Sequence, residues 1–176
     1  MTAATATVRP SVRFLFAHPA HCIALGFGSG LSPMAPGTAG TLAAWGSFWL
    51  LDHWLGDVAW GVAILCAFGI GWWACTHTAR ALGVADPGAI VWDEVLAFWI
   101  VLWPVMPAGA WMQLGAFVLF RVFDAAKFGP VAWADRRFKG RPGEAIGWRQ
   151  GFGILFDDLV AALMTLIVIA LWTRLA

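Results

Sequence analysis

The sequence contains no tyrosine, and only 12% of its 176 residues are charged. Its three cysteines, Cys22, Cys66 and Cys75, form no CxxC pair and lie among apolar residues, which argues against a disulfide framework or a zinc site. The formal net charge of +1 gives no basic excess, and we expect no nucleic-acid partner. By contrast, 61% of the residues are hydrophobic and 13 are tryptophan, a residue that favours membrane interfaces. This composition is typical of an integral membrane protein.

Five apolar segments separated by turn residues predict an all-α, polytopic membrane bundle. They cover approximately residues 40–55, 58–76, 89–103, 109–126 and 153–173. The second and fifth approach the roughly 20 residues that cross a bilayer, whereas the others are shorter and could enter only part way. We interpret residues 1–25 as a cytoplasmic tail and residues 26–176 as one membrane-embedded domain with a cytoplasmic loop at 127–152, which contains one short helix near 131–138.

The distribution of Lys and Arg predicts the orientation, because cytoplasmic loops carry the excess of these residues. Basic residues occur before the first segment, between the second and third, and between the fourth and fifth; the two intervening loops have none. They are Arg9, Arg13, Arg80, Lys127, Arg136, Arg137, Lys139, Arg141 and Arg149. This pattern predicts a multi-pass membrane protein with a cytoplasmic N-terminus and an external C-terminus, and it places Asp93, Glu94, Asp124, Asp157 and Asp158 at the cytoplasmic face.

Two adjacent acidic pairs, Asp93-Glu94 and Asp157-Asp158, lie in or beside apolar segments. A carboxylate within a membrane helix costs roughly 2.5 to 3.5 kcal/mol on insertion scales, and adjacent carboxylates also repel one another. A divalent cation would offset both costs. Because the ligands are oxygens without paired His or Cys, they favour Mg²⁺ over zinc. Asp157 could instead complement a helix dipole, and Asp93 could pair with Arg121, but each alternative explains one member of a pair.

Arg121, Asp124 and Lys127 follow one another at i, i+3 and i+6 and so share part of a helix face. In one interpretation Arg121 pairs with Asp124 while Lys127 extends to the membrane interface. In the other, Arg121 and Lys127 bind a phosphate, and Asp124 is a metal ligand or orients one. The residues alone leave both open.

The glycine-rich stretch 26–41 precedes the first apolar segment and contains Ser29, Gly37, Thr38 and Thr41. Backbone amides at a helix N-terminus can bind an anion, and glycine allows a phosphate to approach closely. The stretch lacks the lysine of a Walker loop, and a helix-packing turn is the alternative. Asp86, before Pro87, could cap the third helix or be a further ligand. We expect Asp135, in the basic loop, to be solvated.

Four blocks, taken together, resemble one family in unbroken order from about residue 25 to 162. They are Gly26-Phe27-Gly28-Ser29-Gly30 with Ala35-Pro36-Gly37-Thr38; Asp86-Pro87 with Ile90-Val91-Trp92-Asp93-Glu94; Phe120-Arg121 with Phe123-Asp124 and Lys127; and Gly151-Phe152-Gly153-Ile154 with Asp157-Asp158. The family is bacterial phosphatidylglycerophosphatase A. The chain departs from its pattern at Phe128 and Ala97, neither of which is a proposed ligand.

The resemblance implies a Mg²⁺-dependent lipid phosphatase of the bacterial inner membrane, with its active site facing the cytoplasm, that converts phosphatidylglycerophosphate to phosphatidylglycerol and phosphate. We expect Asp93, Glu94, Asp157 and Asp158 to hold the metal, and Arg121 and Lys127 to bind and polarise the phosphate with the help of Asp93, Asp124 and Asp157. Ser29, Gly37, Thr38 and Thr41 would contact the substrate. Attack by water or by an aspartate both remain open, with water favoured because a carboxylate saturated by a cation is a poor nucleophile. The oligomeric state is not predicted.

Other classes of protein could also use these carboxylates. A cation- or proton-coupled transporter would need them near the midplane of the membrane with paths to both sides, whereas the predicted topology collects them at one face. A CDP-alcohol phosphotransferase would show a longer Asp- and Gly-rich signature on one helix, which this sequence lacks. A scaffold without activity would leave both acidic pairs unexplained.

Overall fold

The computed structural model describes residues 9–138 and 144–175. Residues 1–8 of the predicted tail, Lys139 and Arg141 of the predicted basic loop, and Ala176 lie outside the described residues. Within the described ranges every regular element is helical, which confirms the all-α prediction. The elements are α1 (Val12–Leu15), α2 (Pro19–Ala24), a 3-10 segment (Gly26–Leu31), α3 (Pro36–Leu51), α4 (Asp57–Leu82), α5 (Trp92–Val105), α6 (Ala110–Ala126), α7 (Pro130–Phe138) and α8 (Trp148–Leu175).

The five apolar segments expected from the sequence correspond to α3, α4, α5, α6 and α8. The largest differences are at helix ends, where polar residues continue a helix beyond its apolar part. α4 extends past residue 76 to Leu82, and Gly83 ends it in the left-handed conformation (φ +68°) that glycine adopts readily. Likewise, α8 begins at Trp148, inside the range 127–152 that we assigned to the loop, and α7 occupies the expected position of the short helix.

Two of the described helices are long and apolar enough to cross a membrane: α4, with 26 residues, and α8, with 28. These are the second and fifth predicted segments. By contrast, α3, α5 and α6 have 16, 14 and 17 residues. At 1.5 Å per residue, α5 is only about 21 Å long, less than the roughly 30 Å hydrocarbon core of a bilayer. Full crossing by these three helices therefore stays a prediction.

Helix α5 lies at the centre of the bundle and packs against α3, α4, α6 and α8. Small residues on the neighbouring helices let them approach its first turn closely. A Cβ atom at Gly40 of α3 would overlap Val91, and one at Gly71 of α4 would overlap the Trp92 ring. The Trp92 indole also donates a hydrogen bond of 3.0 Å to the Ala67 carbonyl oxygen. The start of α5, which carries an acidic pair, is thereby held among its neighbours.

Helix α2 holds the segment just before α5. The Val91 backbone N–H donates to the Ala24 carbonyl oxygen over 2.9 Å. α2 is attached to α4 through a buried contact of 3.0 Å between His21 Nδ1 and Thr78 Oγ1. α5 itself begins at Trp92 without a side-chain cap. Asp86 therefore does not cap this helix, one of the two roles considered for it, since four residues lie between Asp86 and Val91, the capping position.

Candidate active site

Three carboxylates converge where the first turn of α5 meets α8. Asp93, Glu94 and Asp158 each offer an oxygen, and these three oxygens lie within 4.8 Å of one another. We call these residues the carboxylate trio. One oxygen of each, Asp93 Oδ1, Glu94 Oε2 and Asp158 Oδ2, is buried without a hydrogen-bond partner among the described residues. Unpartnered buried carboxylate oxygens are costly, so the donor set and its spacing fit a hard cation such as Mg²⁺.

The fourth predicted ligand, Asp157, forms an ion pair with Lys127 instead of joining the trio. Its Oδ2 atom lies 2.7 Å from Lys127 Nζ, and the same ammonium group lies 2.5 Å from Asp135 Oδ1. Because neighbouring residues on a helix point about 100° apart, α8 directs Asp158 to the trio and Asp157 to Lys127. The role of Asp157 as a metal ligand stays a prediction, whereas its ion pair with Lys127 is part of the structure.

Lys127 is held in an uncommon conformation at the C-terminal end of α6, with φ +46° and ψ +55°. Burial lowers the pKa of its ammonium group, but the hydrogen bonds that this group donates to Asp135 and Asp157 outweigh burial and hold that pKa above its ordinary value. Lys127 therefore remains a cation throughout the physiological pH range. The predicted extension of Lys127 towards the membrane interface is not what the structure shows, since two carboxylates bind its end.

Arg121 borders the trio from α6. Its Nη1 atom lies 2.5 Å from Asp124 Oδ2 and 3.7 Å from Glu94 Oε1, and it donates a hydrogen bond of 3.3 Å to Thr41 Oγ1. The intrahelical pair of Arg121 with Asp124 is thus present, and it leaves the guanidinium group next to the trio rather than remote from it. Asp124 also lies beside Asp158. Asp124 therefore orients Arg121 at the edge of the cluster.

The first turn of α3 faces the same cluster. A Cβ atom at Gly37 would overlap Glu94 Oε1 and come within 3.1 Å of Arg121 Nη2. Ala35, the residue before the helix, has a left-handed backbone conformation (φ +46°). Its side chain makes no capping hydrogen bond to the first backbone N–H groups of α3. The Thr41 hydroxyl donates to the Gly37 carbonyl oxygen over 2.9 Å. Thr38 lies half-buried in the same turn.

The structure does not join Ser29 to this cluster. The Ser29 hydroxyl donates to the Gly26 carbonyl oxygen over 2.9 Å and so closes its own turn of the 3-10 segment. That segment instead packs against the chain before α5, because a Cβ atom at Gly30 would overlap the Ala89 carbonyl oxygen. The glycines of 26–31 thus serve close packing, while Gly37 approaches the charged groups.

Asp135 is the residue that sequence reasoning missed. We expected it to be solvated, but its side chain is only 10% exposed and binds Lys127. The chain turns back between these two residues through left-handed Lys127 and Gly129 (φ +47°), followed by Pro130 at the start of α7. The Gly-Pro pair was the available signal of a turn that returns α7 to the site. Asp86, Asp135 and Asp157 all line a small cavity of about 30 Å³.

Replacing Asp135 by asparagine is expected to reduce kcat/KM for a phosphate-ester substrate about tenfold. The reason is that Lys127 would keep its contact with Asp157 but lose the charged partner that holds it from α7. Steady-state kinetics of the purified protein would measure this loss, with the exposed neighbour Arg136→Gln as control. Asp135→Glu should recover part of the activity. Equal activity of Asp135→Asn and the unmodified protein would show that Asp135 does not contribute to the site.

Comparisons with known proteins show the family of this chain. A family model described as phosphatidylglycerophosphatase A matches residues 22–173. A phosphatidylglycerophosphatase A of Escherichia coli K12 is 40% identical over 154 residues, covering 87% of this chain and 83% of the relative. One from Haemophilus influenzae is 37% identical over 161 residues, covering 91% and 92%. A Bacteroides thetaiotaomicron protein, provisionally named a phosphatidylinositol-3-phosphatase, is 36% identical over 156 residues, covering 84% and 89%.

No solved structure matches the chain. The family model, however, spans all the residues that form the carboxylate trio, both cations and the first turn of α3. The sequence resemblance from residue 25 to 162 falls within the matched range. The chain therefore belongs to the phosphatidylglycerophosphatase A family.

Proposed function

We propose that this protein hydrolyses the terminal phosphomonoester of phosphatidylglycerophosphate to give phosphatidylglycerol and inorganic phosphate, and that it requires Mg²⁺. Family membership and the names of its relatives support the reaction. The observation that carries the metal requirement is the carboxylate trio, which has three buried, unpartnered oxygens and lies beside the Arg121 guanidinium group. Family membership also leaves the transporter alternative without support.

The trio, Asp93, Glu94 and Asp158, would hold the metal. When bound, Mg²⁺ would supply positive charge to the phosphoryl oxygens and acidify the attacking water. Asp157 and Asp124 would act through their cationic partners, because the contacts described for them are with Lys127 and Arg121. In this proposal three of the four predicted ligands bind the metal, and the fourth, Asp157, positions Lys127 instead.

The cations and the first turn of α3 would bind the phosphate. Arg121 is 19% exposed and Lys127 33% exposed at the side chain, so each keeps a face that an anionic ligand can reach. The first amides of α3 add partial positive charge beside Glu94. Donors fixed before the reaction stabilise the charge that develops on the phosphoryl oxygens without reorganisation. Water would then displace the lipid alcohol. The oxygen of the water becomes bonded to phosphorus, and the P–O bond to the alcohol is broken.

We further propose that the site faces the cytoplasm from the inner membrane. The two apolar helices α4 and α8 support membrane attachment. The multi-pass topology and its orientation rest on the distribution of Lys and Arg along the chain. In this arrangement the diacylglycerol part of the substrate stays in the lipid while its phosphate reaches the trio.

The test is release of phosphate from phosphatidylglycerophosphate by the detergent-purified, folded protein, with Mg²⁺ and with a chelator. We expect release with Mg²⁺, loss with the chelator and recovery when Mg²⁺ is restored. Phosphatidic acid and phosphatidylinositol 3-phosphate should be measured in parallel, since a relative carries the latter activity in its provisional name. Metal-independent release would contradict the role of the trio. No release from phosphatidylglycerophosphate would contradict the proposed function, whatever the other two lipids give.

A further inference from the structure

An apolar groove of about 650 Å³ lies between α6 and α8. Every residue that lines it is apolar. Trp111, Gly115 and Val122 of α6 form one wall, and Val168 and Trp172 of α8 form the other. The volume is within the 300 to 1,000 Å³ that ligand pockets usually have, yet this groove has none of the polar side chains that would orient a polar ligand.

The α6 wall of the groove ends one residue from Arg121, a side chain of the candidate active site. Val122, at one end of its α6 wall, directly follows Arg121, and the same two helices bring Asp124 next to Asp158. From Val122 to Trp111 the wall spans twelve residues of α6, or about 16 Å. At its far end the side chains of Trp111 and Trp172 are 86% and 67% exposed. A lipid whose terminal phosphate lies at Arg121, and whose glycerol and phosphodiester units stay outside the apolar lining, could therefore extend an acyl chain along the groove.

This continuity selects one occupant, an acyl chain of the lipid substrate. A second copy of the protein would need a stable interface of about 800 Å² on each partner and a ridge to fill the groove. A flexible chain of methylene groups needs neither and matches the wholly apolar lining. Because the surrounding lipid is as apolar as the groove, little net affinity comes from filling it. The benefit is positional, since a tail held at a fixed place limits where the phosphate can lie.

We propose that the groove between α6 and α8 is a subsite for an acyl chain of the substrate, which holds the phosphate in register with the carboxylate trio. The inference rests on the proposed function and extends it to the apolar part of the substrate. It makes chain length a determinant of the rate, because a substrate with short tails fills less of the groove than one with long tails.

Gly115→Leu tests this inference. A Cβ atom at Gly115 meets nothing within 4 Å, so leucine can enter the groove without displacing the protein, and it favours helix more than glycine does. Gly69→Leu on α4 is the matched control: its added Cβ atom also meets nothing within 4 Å, and the position is exposed away from the groove. Val168→Trp, on the opposite wall, provides a second way to fill the groove.

Each variant would be assayed in detergent micelles with dioleoyl and with dihexanoyl phosphatidylglycerophosphate. We expect Gly115→Leu and Val168→Trp to reduce kcat/KM about tenfold for the dioleoyl lipid and less than about twofold for the dihexanoyl lipid. Gly69→Leu should have the same kcat/KM as the unmodified protein with both lipids. Equal effects on the two lipids, or no effect in either groove variant, would overturn the acyl subsite. If the unmodified protein releases phosphate from neither lipid, the proposed function fails and this inference with it.

Discussion

Asp158→Asn is expected to reduce Mg²⁺-dependent phosphate release by about 10² to 10³-fold. Asp158 is the member of the carboxylate trio that lies on α8; the other two, Asp93 and Glu94, are adjacent on α5. An amide has one carbonyl oxygen and no charge, so the cation would lose both a ligand and the charge that balances it. Initial rates at saturating Mg²⁺ would measure the loss. Asp57→Asn, at an exposed carboxylate in the first turn of α4, is the control and should keep full activity.

The same variant separates loss of metal binding from loss of folding. Without Mg²⁺, Asp158→Asn removes one of three crowded negative charges, and we expect its melting temperature to be about 2 to 4 °C higher than that of the unmodified protein. With Mg²⁺ the unmodified protein should have the higher melting temperature of the two. A ligand at 100 times its Kd stabilises a folded protein by about 2.7 kcal/mol, a gain that the variant would largely lose. Equal stabilisation of both proteins by Mg²⁺ would show that the cation does not bind the trio.

Gly37→Ala is expected to reduce kcat about 10²-fold while leaving the protein folded. The new Cβ atom would overlap Glu94 Oε1 and lie 3.1 Å from Arg121 Nη2. Because Glu94 Oε1 is the end of a flexible side chain, it can move aside at small cost in stability, but this movement takes the carboxylate out of the trio. Steady-state kinetics and the Mg²⁺-induced shift in melting temperature would both detect the displacement.

Gly46→Ala on the same helix is the matched control for this substitution. A Cβ atom there meets nothing within 4 Å, and alanine favours a helix over glycine by up to about 1 kcal/mol. The control should therefore be as active as the unmodified protein and slightly more stable. If Gly37→Ala also kept full activity, the first turn of α3 would have no part in placing Glu94.

Prediction from the sequence was most successful where the signal is local in the chain. Hydropathy located the five long helices to within a few residues at most of their ends, because burial of apolar side chains follows from the residues themselves. It also identified α4 and α8 as the longest apolar segments. Local reasoning was wrong for Asp135, and of the two roles considered for Asp86 the structure excludes the helix cap. Both were judged from their immediate neighbours, Pro87 and the basic loop, whereas both line a cavity formed with α8.

The amino-acid sequence by itself determined the helices, the apolar character of the chain and the presence of two acidic pairs that packing does not explain. Only the tertiary structure decided which member of the second pair joins the first. Neighbouring residues on α8 point about 100° apart, so the rotation of that helix makes the choice. The rotation depends on close packing elsewhere, since a Cβ atom at Gly151 would overlap Thr76 of α4. Contacts between helices distant in the chain thus direct Asp158 to the trio and Asp157 to Lys127.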